Sequence, residues 1–265
     1  MKRALDRRAL VASALAALAV AGCARRAAPS AEVVVFAAAS LREVFDELAA
    51  SFRRDHPGVR VTLQYAGTQE LRAQLEHGAR ADVLASADLR HMDDLARAGR
   101  VGRAVVFAQN EPVLVVAREA KERITALSEL PHAGRIVLGA PDVPIGRYTA
   151  EVLERARAPY GDDFRARVEA RVVSRELSVR QVLAKVRLGE ADAGVVYRTD
   201  AHGVAGLTVI AVPPALSVRA DYPIAVVEGA PHPGLARAWI EHVTSPAGRG
   251  VLSRAGFLLP GEAAR

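Results

Sequence analysis

The stretch Glu32-Val33-Val34-Val35-Phe36-Ala37-Ala38-Ala39-Ser40-Leu41 constrains this chain more than any other. A valine-rich apolar run reads as a buried strand. It breaks into three alanines and a serine, after which Leu41, Val44, Phe45, Leu48 and Phe52 recur on one helical face. Ser40 therefore stands where a strand hands over to a helix. Two readings are open: a plain N-cap, or the floor of a site where small residues let a ligand reach free backbone N–H groups. Those groups carry the positive end of the helix dipole, so the second reading calls for an anion.

The handover recurs. Strand patterns fall at residues 59–65, 82–85, 112–117, 135–138, 171–173, 193–197, 207–212 and 224–227. Helical patterns fall at 70–77, 91–98, 148–156, 178–188, 235–244 and 247–255, with Gly78, Gly99 and Gly189 as stops. Repeated β-then-α order predicts an α/β protein with mostly parallel sheets. The alternation is too long for one compact doubly wound sheet, so two lobes are expected. There is no internal repeat and no low-complexity tract.

The first residues read differently. Lys2, Arg3, Arg7 and Arg8 form a basic segment, and residues 10–21 are an apolar stretch too short to span a membrane comfortably. This is the pattern of a signal peptide over residues 1–22. Val20-Ala21-Gly22-Cys23 resembles a bacterial lipobox, which makes Cys23 the lipid-attachment residue; an ordinary signal peptide with an incidental cysteine is the alternative. Asp6-Arg7-Arg8 leaves Sec and twin-arginine export both open. Residues 23–31 read as a tether. Cys23 is the only cysteine, so no internal disulfide forms. The net charge of +6 drops to about +3 once residues 1–22, with four basic side chains and one acidic, are removed. With 5% aromatics and no basic-aromatic cluster, nucleic-acid binding gains no support.

Four places combine a strand end, small or hydroxyl residues and an oncoming helix: Ala37–Ser40, Tyr65–Thr68, Gly139–Gly146 and Glu176–Val179. Ligands of open α/β sheets bind beyond the carboxyl ends of strands, so the four turns are candidates to converge on one cleft lined by N–H groups and hydroxyls. A dehydrated tetrahedral oxyanion suits such a cleft. Thr68 is read as cap or ligand, Tyr197 as core tyrosine or ligand, and Pro144 and Gly146 as turn-shaping residues or part of the site. Arg147 and Arg180, beside two turns, are salt-bridge partners, a support behind the anion, or direct contacts. The seven histidines lack metal spacing and read mostly as surface or cap residues. Asp88, Asp93 and Asp94 read as a solvated helix start.

Taken together these residues resemble the periplasmic molybdate-binding proteins of ABC importers. The resemblance rests on Phe36-Ala37-Ala38-Ala39-Ser40-Leu41, Ala81-Asp82-Val83-Leu84-Ala85-Ser86-Ala87-Asp88, Gly194-Val195-Val196-Tyr197 and Tyr222-Pro223-Ile224-Ala225-Val226-Val227-Glu228-Gly229, and runs from about Val33 to Phe257. It implies a two-lobed periplasmic-binding-protein fold, with residues 32–109 plus 219–265 as one lobe and 110–218 as the other. It implies molybdate or tungstate held in the cleft through hydroxyls and backbone N–H groups: Ser40, Thr68 and Tyr197 by side chain, Ile145 and Val179 by backbone. No cofactor and no free metal cation is implied. The partners would be an ABC permease and its ATPase, and the protein a membrane-anchored, exported monomer and not an enzyme. Two departures stand out: Glu70 brings a negative charge to the second turn, and Ile145 is bulkier than usual in the third. Whether Glu176 or Asp142 adds a carboxylate to the metal centre stays open. The competing readings are a binding protein for another tetrahedral oxyanion such as sulfate, and a serine hydrolase using Ser40, which lacks the G-x-S-x-G elbow. A ligand-sensing domain of a regulator is a third, without a helix-turn-helix to support it.

Overall fold

The computed structural model describes residues 31–261. The signal peptide, Cys23 and all of the tether but its last residue lie outside the described residues. In chain order the elements are β1 Ala31–Ala38, α1 Arg42–Asp55, β2 Val59–Ala66, α2 Thr68–Glu76, β3 Val83–Ala85, α3 Leu89–Arg97, β4 Val105–Asn110, β5 Pro112–Ala117 and β6 Ile136–Gly139. Then come α4 Pro144–Arg155, α5 Arg157–Tyr160, α6 Phe164–Glu169, β7 Val172–Glu176, α7 Val179–Arg187, β8 Ala193–Tyr197, α8 Arg198–Ala201, β9 Leu207–Ala211, β10 Ala220–Val226, α9 Pro233–Thr244 and α10 Pro246–Arg254.

Two five-stranded sheets result, ordered β2-β1-β3-β10-β4 and β7-β6-β8-β5-β9. In each sheet three strands run parallel, and the fourth in order is antiparallel to both its neighbours: β10 in the first sheet, β5 in the second. Four of five strands thus share one direction, as the β-then-α order predicts. Wholly apolar β5, β6 and β8 are buried along their whole length, because the interior strands of a covered sheet have no solvent face. The edge strands β2, β7 and β9 carry the alternating or partly exposed patterns.

The chain passes between the sheets twice. It leaves the first after β4, with Glu111 alone separating that strand from β5, and it returns through residues 212–219 to β10. β10 pairs with β3 from Ile224↔Ala85 to Val226↔Val83. The terminal helices then cover the first sheet: the Trp239 ring packs edge-on against Phe45 and Phe52, with centroids 5.6 and 5.5 Å apart. Among the described residues no helix is long and apolar enough to cross a membrane.

Most expected elements appear within a few residues of their expected bounds. The misses have local causes. β4 was not expected because its polar end, Gln109-Asn110, breaks the apolar run. β10 begins four residues earlier than its apolar core suggests, since Asp221 and Pro223 interrupt the pattern and a register shift at Tyr222/Pro223 absorbs the proline. α4 begins at Pro144, four residues before the first periodic position, because proline suits the first turn of a helix. α5 and α6 are too short for periodicity to show.

Candidate functional site

All four turns meet at one cavity. It is lined by Ala38, Ala39 and Ser40 at the end of β1, by Ala66, Gly67 and Thr68 at the end of β2, by Val143, Pro144 and Ile145 after β6, and by Ser178 and Val179 after β7. Ala87, past the end of β3, and Tyr197, the last residue of β8, complete it. The five sequence-derived ligand candidates, Ser40, Thr68, Ile145, Val179 and Tyr197, thus come together. No charged side chain lines the cavity. Its volume is about 20 Å³, far below the roughly 300–1,000 Å³ of pockets for drug-sized molecules. It suits a compact group.

Three helix N-termini face this space. Their first intrahelical bonds come from Glu70, Arg147 and Gln181. The N–H groups of Thr68 and Gln69 in α2, Ile145 and Gly146 in α4, and Val179 and Arg180 in α7 therefore lack helical acceptors, as the first turn of any helix does. Each end carries positive potential, and all three point at the same cavity. The close approach at α4 depends on glycine: a Cβ on Gly146 would lie 2.1 Å from the Ala140 carbonyl oxygen and 2.6 Å from that of Gly139.

The hydroxyls are oriented by what they already bind. The Ala87 N–H donates to Thr68 Oγ1 at 3.1 Å, so the threonine's own proton is free for the cavity. Ser40 Oγ lies 2.9 Å from the Tyr222 hydroxyl. Tyr197 is 1% exposed, and its hydroxyl has no protein partner. A buried hydroxyl left unpaired costs about 1–3 kcal/mol, so the orphan marks a place for a ligand acceptor. Burial holds the Tyr197 and Tyr222 phenols well above their ordinary pKa, so both stay protonated donors.

The charges near the site are engaged elsewhere. Glu70, the apparent misfit of the second turn, accepts from the Gly67 N–H at 3.0 Å, the reciprocal half of a capping box whose other half glycine cannot supply. Arg147 pairs with Asp88 at 3.1 Å, and Arg180 with Asp200 at 3.0 Å and also with Glu43. Neither arginine lines the cavity, so neither makes a direct contact there. Glu176 pairs with Lys185 at 2.7 Å, and Asp142 with Arg90 at 3.4 Å; neither carboxylate lines the cavity. Ile145 is buried, so its bulk packs without excluding its backbone from the lining.

Two expectations are corrected. Asp88 is not part of a solvated helix start but 0% exposed, capping α3 through the His91 N–H at 3.1 Å and paired with Arg147. His91 is buried rather than a surface or cap residue, its Nε2 2.8 Å from the Asp142 carbonyl oxygen. Single-residue patterns carry no signal for such long-range partners. Neither Tyr222, which lies in one of the family motifs, nor the Ser178 side chain carries a signal of its own in the sequence pattern.

Contacts tie the two rims of the cavity together. Gln69 Nε2 donates to the Leu177 carbonyl at 2.7 Å, and the His91, Arg147 and Arg180 contacts run the same way, from elements of one sheet to those of the other.

Comparison with known proteins adds the relationship. A family model described as bacterial extracellular solute-binding protein matches residues 33–258. The molybdate-binding protein ModA of Mycobacterium tuberculosis (strain ATCC 25618 / H37Rv) is 40% identical over 231 residues, covering 86% of this chain and 85% of its own. The solved periplasmic molybdate-binding protein of Azotobacter vinelandii superposes with a TM-score of 0.74 at 19% identity, over 86% of this chain and 99% of that one. The sulfate-binding protein SubI from Mycobacterium tuberculosis H37Rv gives 0.79 at 18% identity, over 87% and 88%. At such identities the two structures speak for the fold alone.

Proposed function

This chain belongs to the family of bacterial extracellular solute-binding proteins, and from that premise we propose that it captures molybdate, and tungstate with it, for an ABC importer. One observation carries the choice of ligand: a compact cavity without charged side chains, faced by three helix N-termini and by the hydroxyls of Ser40, Thr68 and Tyr197. Such a site offers hydrogen-bond donors on every side and matches a small, fully deprotonated dianion. The 40% identity to a molybdate-binding protein supports molybdate among such anions.

In this reading Ser40, Thr68 and Tyr197 donate through hydroxyls, Ile145 and Val179 through backbone N–H groups, and neither Glu176 nor Asp142 joins the metal's coordination. Sulfate has the same charge and shape but is smaller, so it cannot reach every donor of a fixed cage. Each buried hydrogen bond left unmade costs about 1–3 kcal/mol, and two would separate the anions by more than about tenfold.

Capture proceeds by closure of two lobes, residues 32–109 plus 219–265 against 110–218, about the two crossings between the sheets. The bonds from Gln69 to Leu177 and from His91 to Asp142 hold the closed form. The loaded protein hands the anion to a permease driven by its ATPase. Residues 1–22 direct export and are then removed, leaving the mature monomer anchored through lipidated Cys23. The serine-hydrolase alternative gains nothing from Ser40, whose side-chain partner is Tyr222.

Equilibrium dialysis against molybdate, tungstate, sulfate and phosphate, read by elemental analysis, tests the assignment. Retention of molybdate and tungstate is expected; retention of sulfate or phosphate without molybdate sinks it. Mass spectrometry of the protein from membranes tests the anchor, and an unmodified chain starting elsewhere rejects it.

A further inference from the structure

Asp88 places a carboxylate at the edge of the anion cavity. It directly follows Ala87, which lines the cavity, and its side chain is 1% exposed. Its two oxygens have partners on different sides of the cleft. Oδ1 caps α3, accepting from the His91 N–H at 3.1 Å, within the elements of the first sheet. Among the described residues Oδ2 accepts only from Arg147, from Nε at 3.3 Å and from Nη2 at 3.1 Å. Arg147 belongs to α4, which follows β6 of the second sheet. Its guanidinium sits over the Tyr148 ring, 4.5 Å from the centroid, so it is steadied from its own side while it reaches across.

The two charges depend on each other unequally. Arg147 is 33% exposed and keeps water when its partner is gone. Asp88 without Arg147 is, in the shut cleft, a buried charge with no counter-charge, beside the place where a dianion enters. When the rims part, water replaces Arg147 at Oδ2, so the penalty falls on closure and not on folding. We propose that Arg147 is a positioning residue that admits closure: by neutralising Asp88 from the opposite rim, it lets the cleft shut on an anion that it does not touch. The inference rests on reading the cavity as an oxyanion site.

The test is calorimetric titration with molybdate of wild type, Arg147→Met, Asp88→Asn and the double variant, beside ligand-free thermal melts. Methionine keeps an unbranched stem without the charge, and asparagine keeps the α3 cap through its own Oδ1. Arg147→Met is expected to bind molybdate at least about tenfold more weakly, with a ligand-free melting temperature near that of wild type. Asp88→Asn leaves no charge to neutralise, so it and the double variant should both stay within about threefold of wild type. A plain ion-pair tie would instead weaken both single variants alike, and a general structural loss would leave the double variant no better than Arg147→Met. Either result overturns the proposal, as does native affinity or a large fall in ligand-free melting temperature in Arg147→Met. If Arg147→Met does not fold, Asp88→Asn decides alone, since a marked loss of affinity there overturns the proposal. Wild type that binds no molybdate overturns the oxyanion reading instead.

Discussion

At the scale of single residues, the site works by what each group has left to give. Ser40, Thr68 and Tyr197 are buried; Thr68 accepts from the Ala87 N–H, the Tyr197 hydroxyl has no protein partner, and Ser40 shares one bond with Tyr222. Ser40→Ala and Tyr197→Phe should each weaken molybdate binding by about tenfold, the worth of one buried hydrogen bond, as read by titration. Asp200 offers a separate check. Burial pushes its carboxyl from 3.8 up to about 7, outweighing the pull of Arg180 at 3.0 Å. The folded protein thus holds a proton that the unfolded chain releases near pH 4. The stabilisation is full below 3.8 and is lost as the pH climbs towards 7. Asp200→Asn should remove that part of the fall in melting temperature between pH 5 and 8; an unaltered slope would assign it to other groups. Residue types at strand ends made Ser40, Thr68 and Tyr197 legible in the sequence. Asp88, His91 and Tyr222 were not, because their roles depend on partners from 51 to 182 positions away, some across the cavity.

At the scale of elements, strand-to-helix turns were readable wherever small residues separated an apolar run from helical periodicity. What periodicity could not carry was the start of α4, set by Pro144, the strand identity of β4, and the first residues of β10, hidden by polar and proline residues. The third turn depends on the closeness of α4 to the end of β6. A Cβ on Gly146 would lie 2.1 Å from the Ala140 carbonyl oxygen, so Gly146→Ala must displace the helix start. Overpacking of this kind costs about 1–3 kcal/mol, visible as a lowered denaturation midpoint, and the displaced Ile145 N–H should weaken binding further. A variant with native stability and native affinity would mean that the α4 N-terminus does not set the site.

At the scale of the whole molecule, the central idea is capture by closure of two sheets around an anion. The return of the chain to the first sheet, where β10 pairs with β3 and β4, is a feature that periodicity cannot show. Gly67 probes closure apart from folding. Its φ of −60° admits alanine, yet a Cβ there would meet the Leu177 carbonyl oxygen across the cavity at 2.3 Å. Gly67→Ala should therefore lower anion affinity while leaving the ligand-free melting temperature near that of wild type; a large loss of ligand-free stability would show that the contact belongs to the fold rather than to closure. The most direct test of the central claim is calorimetric titration of the exported chain with molybdate, wild type beside the double variant Ser40→Ala/Tyr197→Phe. One anion should bind per wild-type chain, with a weakening of about a hundredfold in the double variant, two buried hydrogen bonds' worth. Absence of molybdate binding in the wild type, or equal affinity in the two proteins, would contradict it.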